Sequence, residues 1–139
     1  MAGNEIQVLI VEDDPVMRSA FVEMLSNWGF GIRSAQNGLA ALLDIRTAKP
    51  DILLSDLDMP GMNGYELLSI MRRLHPEMPL IAMSGGYAGA EVPAGVTADA
   101  FYAKGAGSCL RLRAILGEIS IARLGRGGNH GRQLAFSAV

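Results

Sequence analysis

The stretch Ile52-Leu53-Leu54-Ser55-Asp56-Leu57-Asp58-Met59-Pro60-Gly61-Met62-Asn63-Gly64 decides the fold. It opens on an apolar run too short for a helix, and Asp56 ends that run. The loop Met59-Pro60-Gly61-Met62-Asn63-Gly64 is rich in turn formers. From there to about residue 74 the pattern is that of a helix. A short apolar strand that feeds a loop and then a helix is one unit of a parallel sheet covered on both faces.

The alternation continues in both directions. Upstream, Ile6-Gln7-Val8-Leu9-Ile10-Val11 is a β-branched-rich run that ends in Glu12, Asp13 and Asp14. Asp14-Pro15 supplies an N-cap followed by proline at the first helical position. Val16, Ala20, Phe21, Met24, Leu25 and Trp28 follow at helical spacing until Gly29 stops the helix. Residues 30–34 read as a second strand, and Asn37-Gly38 opens a helix that Lys49-Pro50 closes. Downstream, Pro79-Leu80-Ile81-Ala82-Met83 is a fourth strand and Ala100-Phe101-Tyr102-Ala103 a fifth, with a last helix over residues 107 to about 122. Gly85, Gly86, Gly89, Pro93 and Gly95 predict that any helix between the fourth and fifth strands is short or irregular. The expected fold is α/β with one domain over residues 5–122. Residues 123–139, with glycines and three arginines, read as a flexible tail.

Composition narrows the function. With 139 residues there is room for one domain, and half of them are apolar. The single cysteine, Cys109, allows no internal disulfide and is expected to be buried and inert. No stretch resembles a signal peptide, and no apolar run nears the roughly 20 residues that cross a bilayer. A cytoplasmic protein without membrane contact is therefore expected. Residues 1–122 carry 14 acidic against 9 basic side chains, which argues against a nucleic-acid-binding face.

In an open parallel sheet, ligands bind beyond the carboxyl ends of the strands. Those ends carry Glu12, Asp13 and Asp14, then Asp56, Ser84 and Lys104. Carboxylates brought together repel one another, and a hard divalent cation such as Mg²⁺ relieves the repulsion. A metal, a carboxylate nucleophile and a lysine suffice for phosphoryl transfer: cation and ammonium neutralise phosphoryl oxygens while the aspartate attacks in line. Ser84 can donate a hydrogen bond to the same group. Each residue alone has a plainer reading, as a cap, a loop serine or a surface lysine. Their joint placement on successive strand ends favours chemistry.

The blocks Val8-Leu9-Ile10-Val11-Glu12-Asp13-Asp14, Asp56-Leu57-Asp58-Met59-Pro60-Gly61-Met62-Asn63-Gly64, Met83-Ser84-Gly85 and Ala100-Phe101-Tyr102-Ala103-Lys104 resemble the receiver domain of bacterial two-component response regulators. The resemblance implies a flavodoxin-like, doubly wound five-stranded parallel sheet in the order 2-1-3-4-5 with five flanking helices. It implies Asp56 as phosphoacceptor and metal ligand, Asp13 as direct ligand, Glu12 as ligand through water, and the backbone carbonyl of Asp58 as a further ligand. Lys104 would bind phosphate, and Ser84 and Tyr102 would form the switch. The implied partners are a histidine kinase or histidine phosphotransfer protein and a downstream protein. Such a chain catalyses only its own phosphorylation and dephosphorylation.

Two features depart from the family pattern. Gly105 stands where proline usually follows the lysine, and the fourth helix looks broken. Three other readings fit less well. A haloacid-dehalogenase-like phosphohydrolase would use Asp56-Leu57-Asp58 but leave Glu12 and Asp13 without a role. A degenerate receiver would have lost the acceptor or the lysine. A flavin carrier would want hydroxyls, not acids, after the first strand. His75 before Pro76 reads as a helix end, and Met62, Met71 and Met83 as packing residues.

Overall fold

A computed structural model describes residues 5–86, 89, 91–105 and 109–127. Parallel strands β1 (Gln7–Val11), β2 (Gly31–Ala35), β3 (Ile52–Asp56), β4 (Leu80–Ser84) and β5 (Ala100–Ala103) form one sheet in the order 2-1-3-4-5. Among the described residues, helices α1 (Pro15–Asn27), α2 (Gly38–Thr47), α3 (Gly64–Leu74) and α4 (Leu110–Gly127) flank it.

Side chains alternate across the sheet, so each inner strand serves two cores. Val8, Ile10, Ile52 and Leu54 face Phe21 and Leu25 of α1 and Leu112, Ile115 and Leu116 of α4. Leu9, Val11 and Leu53 face Ala41 and Ile45 of α2 and Leu67, Leu68 and Met71 of α3. That double coverage explains why the inner strands read as unbroken apolar runs. Each fully buried Leu or Ile contributes about 1.5–3 kcal/mol relative to its exposed state.

The helix starts follow from Asx residues placed just past strand ends. Asp14 accepts from the Val16 amide at 2.9 Å, Asn37 from Ala40 at 2.7 Å and Asn63 from Glu66 at 3.0 Å. Each cap satisfies an amide that the first helical turn leaves unpaired. At the opposite end of the sheet, one Asp99 carboxylate oxygen accepts from the Leu80 amide at 2.8 Å and from Arg72 at 2.9 Å. This clip fixes the start of β5 against β4 and α3.

Two expectations need correction. The fourth helix, expected to be short or irregular, forms no helix at any described position of residues 85–99, which form bends and a turn closed by the Val96 amide on the Pro93 carbonyl. Gly89 and Gly95 sit there at φ of 103° and 83°, outside helical geometry, while Val92, Val96 and Ala98 pack on the core without a helix. The last helix runs to Gly127, past the boundary expected at 122. A glycine inside a helix costs only about 1 kcal/mol relative to alanine, so Gly125 does not by itself end this one. Residues 128–139 of the expected tail lie outside the described residues. Cys109 is exposed, not buried, because it stands at the edge beyond β5 and its carbonyl accepts the Arg113 amide as a cap residue does.

Candidate functional site

The parallel register brings the carboxyl ends of the inner strands level. Val11 pairs with Ser55, Asp56 with Met83, and Ser84 with Ala103. Glu12, Asp13 and Asp56 consequently converge, each offering a carboxylate oxygen within 4.8 Å of the others. Glu12 and Asp56 are buried, and Asp13 is exposed. Asp14 does not join them; it caps α1, as the plainer reading expected.

Local bonds hold Glu12 and Asp56 in place. The Glu12 carbonyl accepts from Arg18 at 2.8 Å, and its carboxylate accepts the Asp14 amide at 3.2 Å. Asp56 accepts from the Asp58 amide at 3.3 Å. Behind Asp56, α3 starts so close to the strand that a Cβ on Gly64 would lie 2.1 Å from the Asp56 carbonyl oxygen. Only glycine fits there without displacement.

Lys104 completes the cluster. Its Nζ donates to Glu12 Oε1 at 2.9 Å and to Asp56 Oδ2 at 3.1 Å. Its backbone amide is fixed on the Ser84 carbonyl at 2.9 Å, and Gly105 turns the chain away at φ 76°. No cis peptide bond occurs among the described residues. Burial pushes the Glu12 carboxyl up, the bonds from Lys104 and the Asp14 amide pull it back, and the Asp56 charge adds to the rise. For Lys104 burial works downward, but its bonds to Glu12 and Asp56 outweigh it, and the ammonium is held more firmly than usual. Three carboxylates and one ammonium leave two negative charges, which a single divalent cation balances. The all-oxygen donor set suits a hard cation.

Ser84 is fully buried. Its Oγ accepts the Gly86 amide at 2.9 Å and donates to Asp58 Oδ2 at 2.7 Å. Tyr102 is buried as well, edge-on to Phe21 with ring centroids 6.5 Å apart, and its hydroxyl donates to Cys109 Sγ at 3.9 Å. Burial and the Cys109 contact push its phenol up to about 12. Tyr102 thus points into the fold in this arrangement.

The family model of the response regulator receiver domain matches residues 8–103, strands β1 to β5 with the whole acidic cluster. The chain belongs to the response regulator receiver domain family. A receiver was the reading of the sequence motifs, and the convergence of Glu12 and Asp13 on Asp56 fills the places that a hydrolase reading left without work.

Relatives of this receiver occur within much longer proteins. Transcriptional regulatory protein ZraR of Klebsiella oxytoca is 32% identical over 84 residues, covering 60% of this chain and 19% of ZraR. Sensor histidine kinase RcsC of Escherichia coli is 32% identical over 82 residues, covering 59% of this chain and 9% of the kinase. This chain therefore spans less than a fifth of these curated relatives. Among solved structures, response regulator TrrA of Thermotoga maritima, in complex with Mg²⁺ and BeF, superposes with a TM-score of 0.74 at 24% identity, covering 81% of this chain and 97% of TrrA. That likeness shows the receiver fold.

Two features of the receiver's site were not read from the sequence. The Asp58 side chain reaches Ser84 across 26 positions, a long-range contact without a local signature. Arg18, one helical turn into α1, holds the Glu12 carbonyl, and its position in an amphipathic helix gave no sign of it.

Proposed function

We propose that this receiver accepts a phosphoryl group on Asp56 from a histidine kinase or histidine phosphotransfer protein and signals by a change of conformation to a downstream partner. The observation that carries the reading is Lys104 bridging Glu12 and Asp56, with Asp13 in the same cluster. The Asp56 carboxylate attacks phosphorus, the bond from phosphorus to the donor nitrogen breaks, and the released imidazole keeps the electron pair. Lys104 and the Ser84 hydroxyl bind phosphoryl oxygens, and Tyr102 responds to the movement of Ser84.

Mg²⁺ fits the acidic cluster: Asp13, Asp56 and the Asp58 carbonyl would hold it directly, and Glu12 through water. When bound it neutralises the carboxylates and the phosphoryl oxygens. The chain turns over only its own acyl phosphate, so it is not an enzyme acting on a separate substrate. The partner class draws support from the relative RcsC, a sensor histidine kinase, and from TrrA, also solved in complex with histidine kinase ThkA. Among the described residues no helix is long and apolar enough to cross a membrane, in keeping with work in the cytoplasm beside such a kinase.

The test is incubation with a small acyl phosphate, followed by intact mass. The parent should gain one phosphoryl group only when Mg²⁺ is present, and Asp56→Asn should gain none. Equal labelling of parent and variant, or labelling unaffected by a chelator, would overturn the reading.

A further inference from the structure

A hydroxyl has one proton to give. Here the Ser84 proton goes to Asp58 Oδ2 at 2.7 Å, while the Gly86 amide occupies one side of the Ser84 oxygen at 2.9 Å. The acceptor is a carboxylate, so the bond is of the stronger, charge-assisted kind. Ser84 is fully buried, which keeps bulk water from offering the proton another acceptor. Asp58 lies on the exposed rim just past β3, where its side chain can swing into solvent once the bond is broken.

We propose that the Asp58 side chain is a positioning residue that holds the Ser84 hydroxyl in the unphosphorylated arrangement, so that a phosphoryl group on Asp56 must win the Ser84 proton from it. This rests on the reading of Asp56 as phosphoacceptor. The Asp58 carboxylate and a phosphoryl oxygen compete for one donor, and Asp58 thereby opposes the phosphorylated state. The role is separate from that of the Asp58 backbone carbonyl, which any residue supplies.

Two consequences follow from the competition. Removing the Asp58 carboxylate should tighten binding of a phosphoryl mimic, and the gain should depend on the Ser84 hydroxyl. A mere loss of negative charge would tighten binding whether or not that hydroxyl is present.

The experiment is a double-mutant cycle. Affinity for beryllofluoride in saturating Mg²⁺ is measured by calorimetry for the parent, Asp58→Ala, Ser84→Ala and the double variant. Asp58→Ala should bind about tenfold more tightly than the parent, the lower end of the range for a hydrogen bond to a charged group because Asp58 is exposed. In the Ser84→Ala background the same change should alter affinity by no more than about twofold. Asp58→Asn removes the charge but keeps an oxygen acceptor, and should fall between parent and Asp58→Ala. A readout free of mimic and metal is the amide resonance of Gly86, which should shift in Asp58→Ala and return toward the parent position in Asp58→Asn. Equal gains with and without the Ser84 hydroxyl, or an unmoved Gly86 resonance, would overturn the proposal. Failure of the parent itself to bind beryllofluoride would instead overturn the phosphoacceptor reading, and this proposal with it.

Discussion

Gly64→Ala isolates the contact that places α3 beneath Asp56. The added Cβ would lie 2.1 Å from the Asp56 carbonyl oxygen and 2.7 Å from Leu57 Cα. Ordinary contact begins at 3.4 Å, so the start of α3 must retreat by more than about 1 Å. Neither neighbour can yield, since both belong to backbone buried at the end of β3. Overpacking of this kind costs about 1–3 kcal/mol, and contact with backbone places Gly64 at the upper end. Alanine recovers less than about 1 kcal/mol through helix propensity. A net loss of about 2 kcal/mol is expected, which lowers Tm by roughly 5–10 °C in a domain of this size. Urea unfolding followed by circular dichroism gives the comparison. Gly85→Ala, whose Cβ meets nothing within 4 Å, is the control and should stay within about 0.5 kcal/mol of the parent. Gly31→Ala should be milder than Gly64→Ala despite the same 2.1 Å approach, because its obstacle is the flexible Gln7 side chain. If Gly64→Ala proved as stable as Gly85→Ala, the close approach would not be a constraint.

Two further outcomes are expected. Mg²⁺ should raise the melting temperature by binding the folded cluster, adding about 2.7 kcal/mol at a hundred times its Kd. Asp13→Asn should blunt that rise in thermal scans with and without Mg²⁺, and an undiminished rise would place the ion elsewhere. Tyr102→Phe should reduce the loss of stability at alkaline pH. The phenol is raised to about 12 in the fold against 10 when unfolded, so its contribution is complete below about pH 10 and is lost as pH rises through 12. The urea midpoint of the parent should fall further between pH 9 and pH 11 than that of the variant, and equal slopes in both proteins would contradict the shift.

What the sequence made legible was local. Ile52-Leu53-Leu54 gave away β3 because a strand buried on both faces reads as a near-continuous apolar run, and Asp14-Pro15 marked the first residue of α1 through capping chemistry. Glu12, Asp13, Asp56 and Lys104 could be grouped because a parallel sheet gathers its carboxyl ends, and the structure brings all four together. What stayed hidden depends on distance in the chain. The Asp58–Ser84 bond, the Asp99–Arg72 clip and the exposure of Cys109 come from packing between segments that no local pattern connects. The glycines of residues 85–99 did signal a weak helix, but whether valines there would pack without one was a tertiary matter.

The most direct measurement is the position of the phosphoryl group on the chain. An aspartyl phosphate is an acyl anhydride, so borohydride reduces it to homoserine and leaves free carboxylates unchanged. The parent should be phosphorylated by a small acyl phosphate in Mg²⁺, reduced, digested and sequenced by tandem mass spectrometry. The expected result is homoserine at position 56 alone, with Asp13 and Asp58 intact and no product when Mg²⁺ is withheld. Reduction at Asp13, at Asp58 or nowhere would contradict the assignment of Asp56 as the phosphoacceptor.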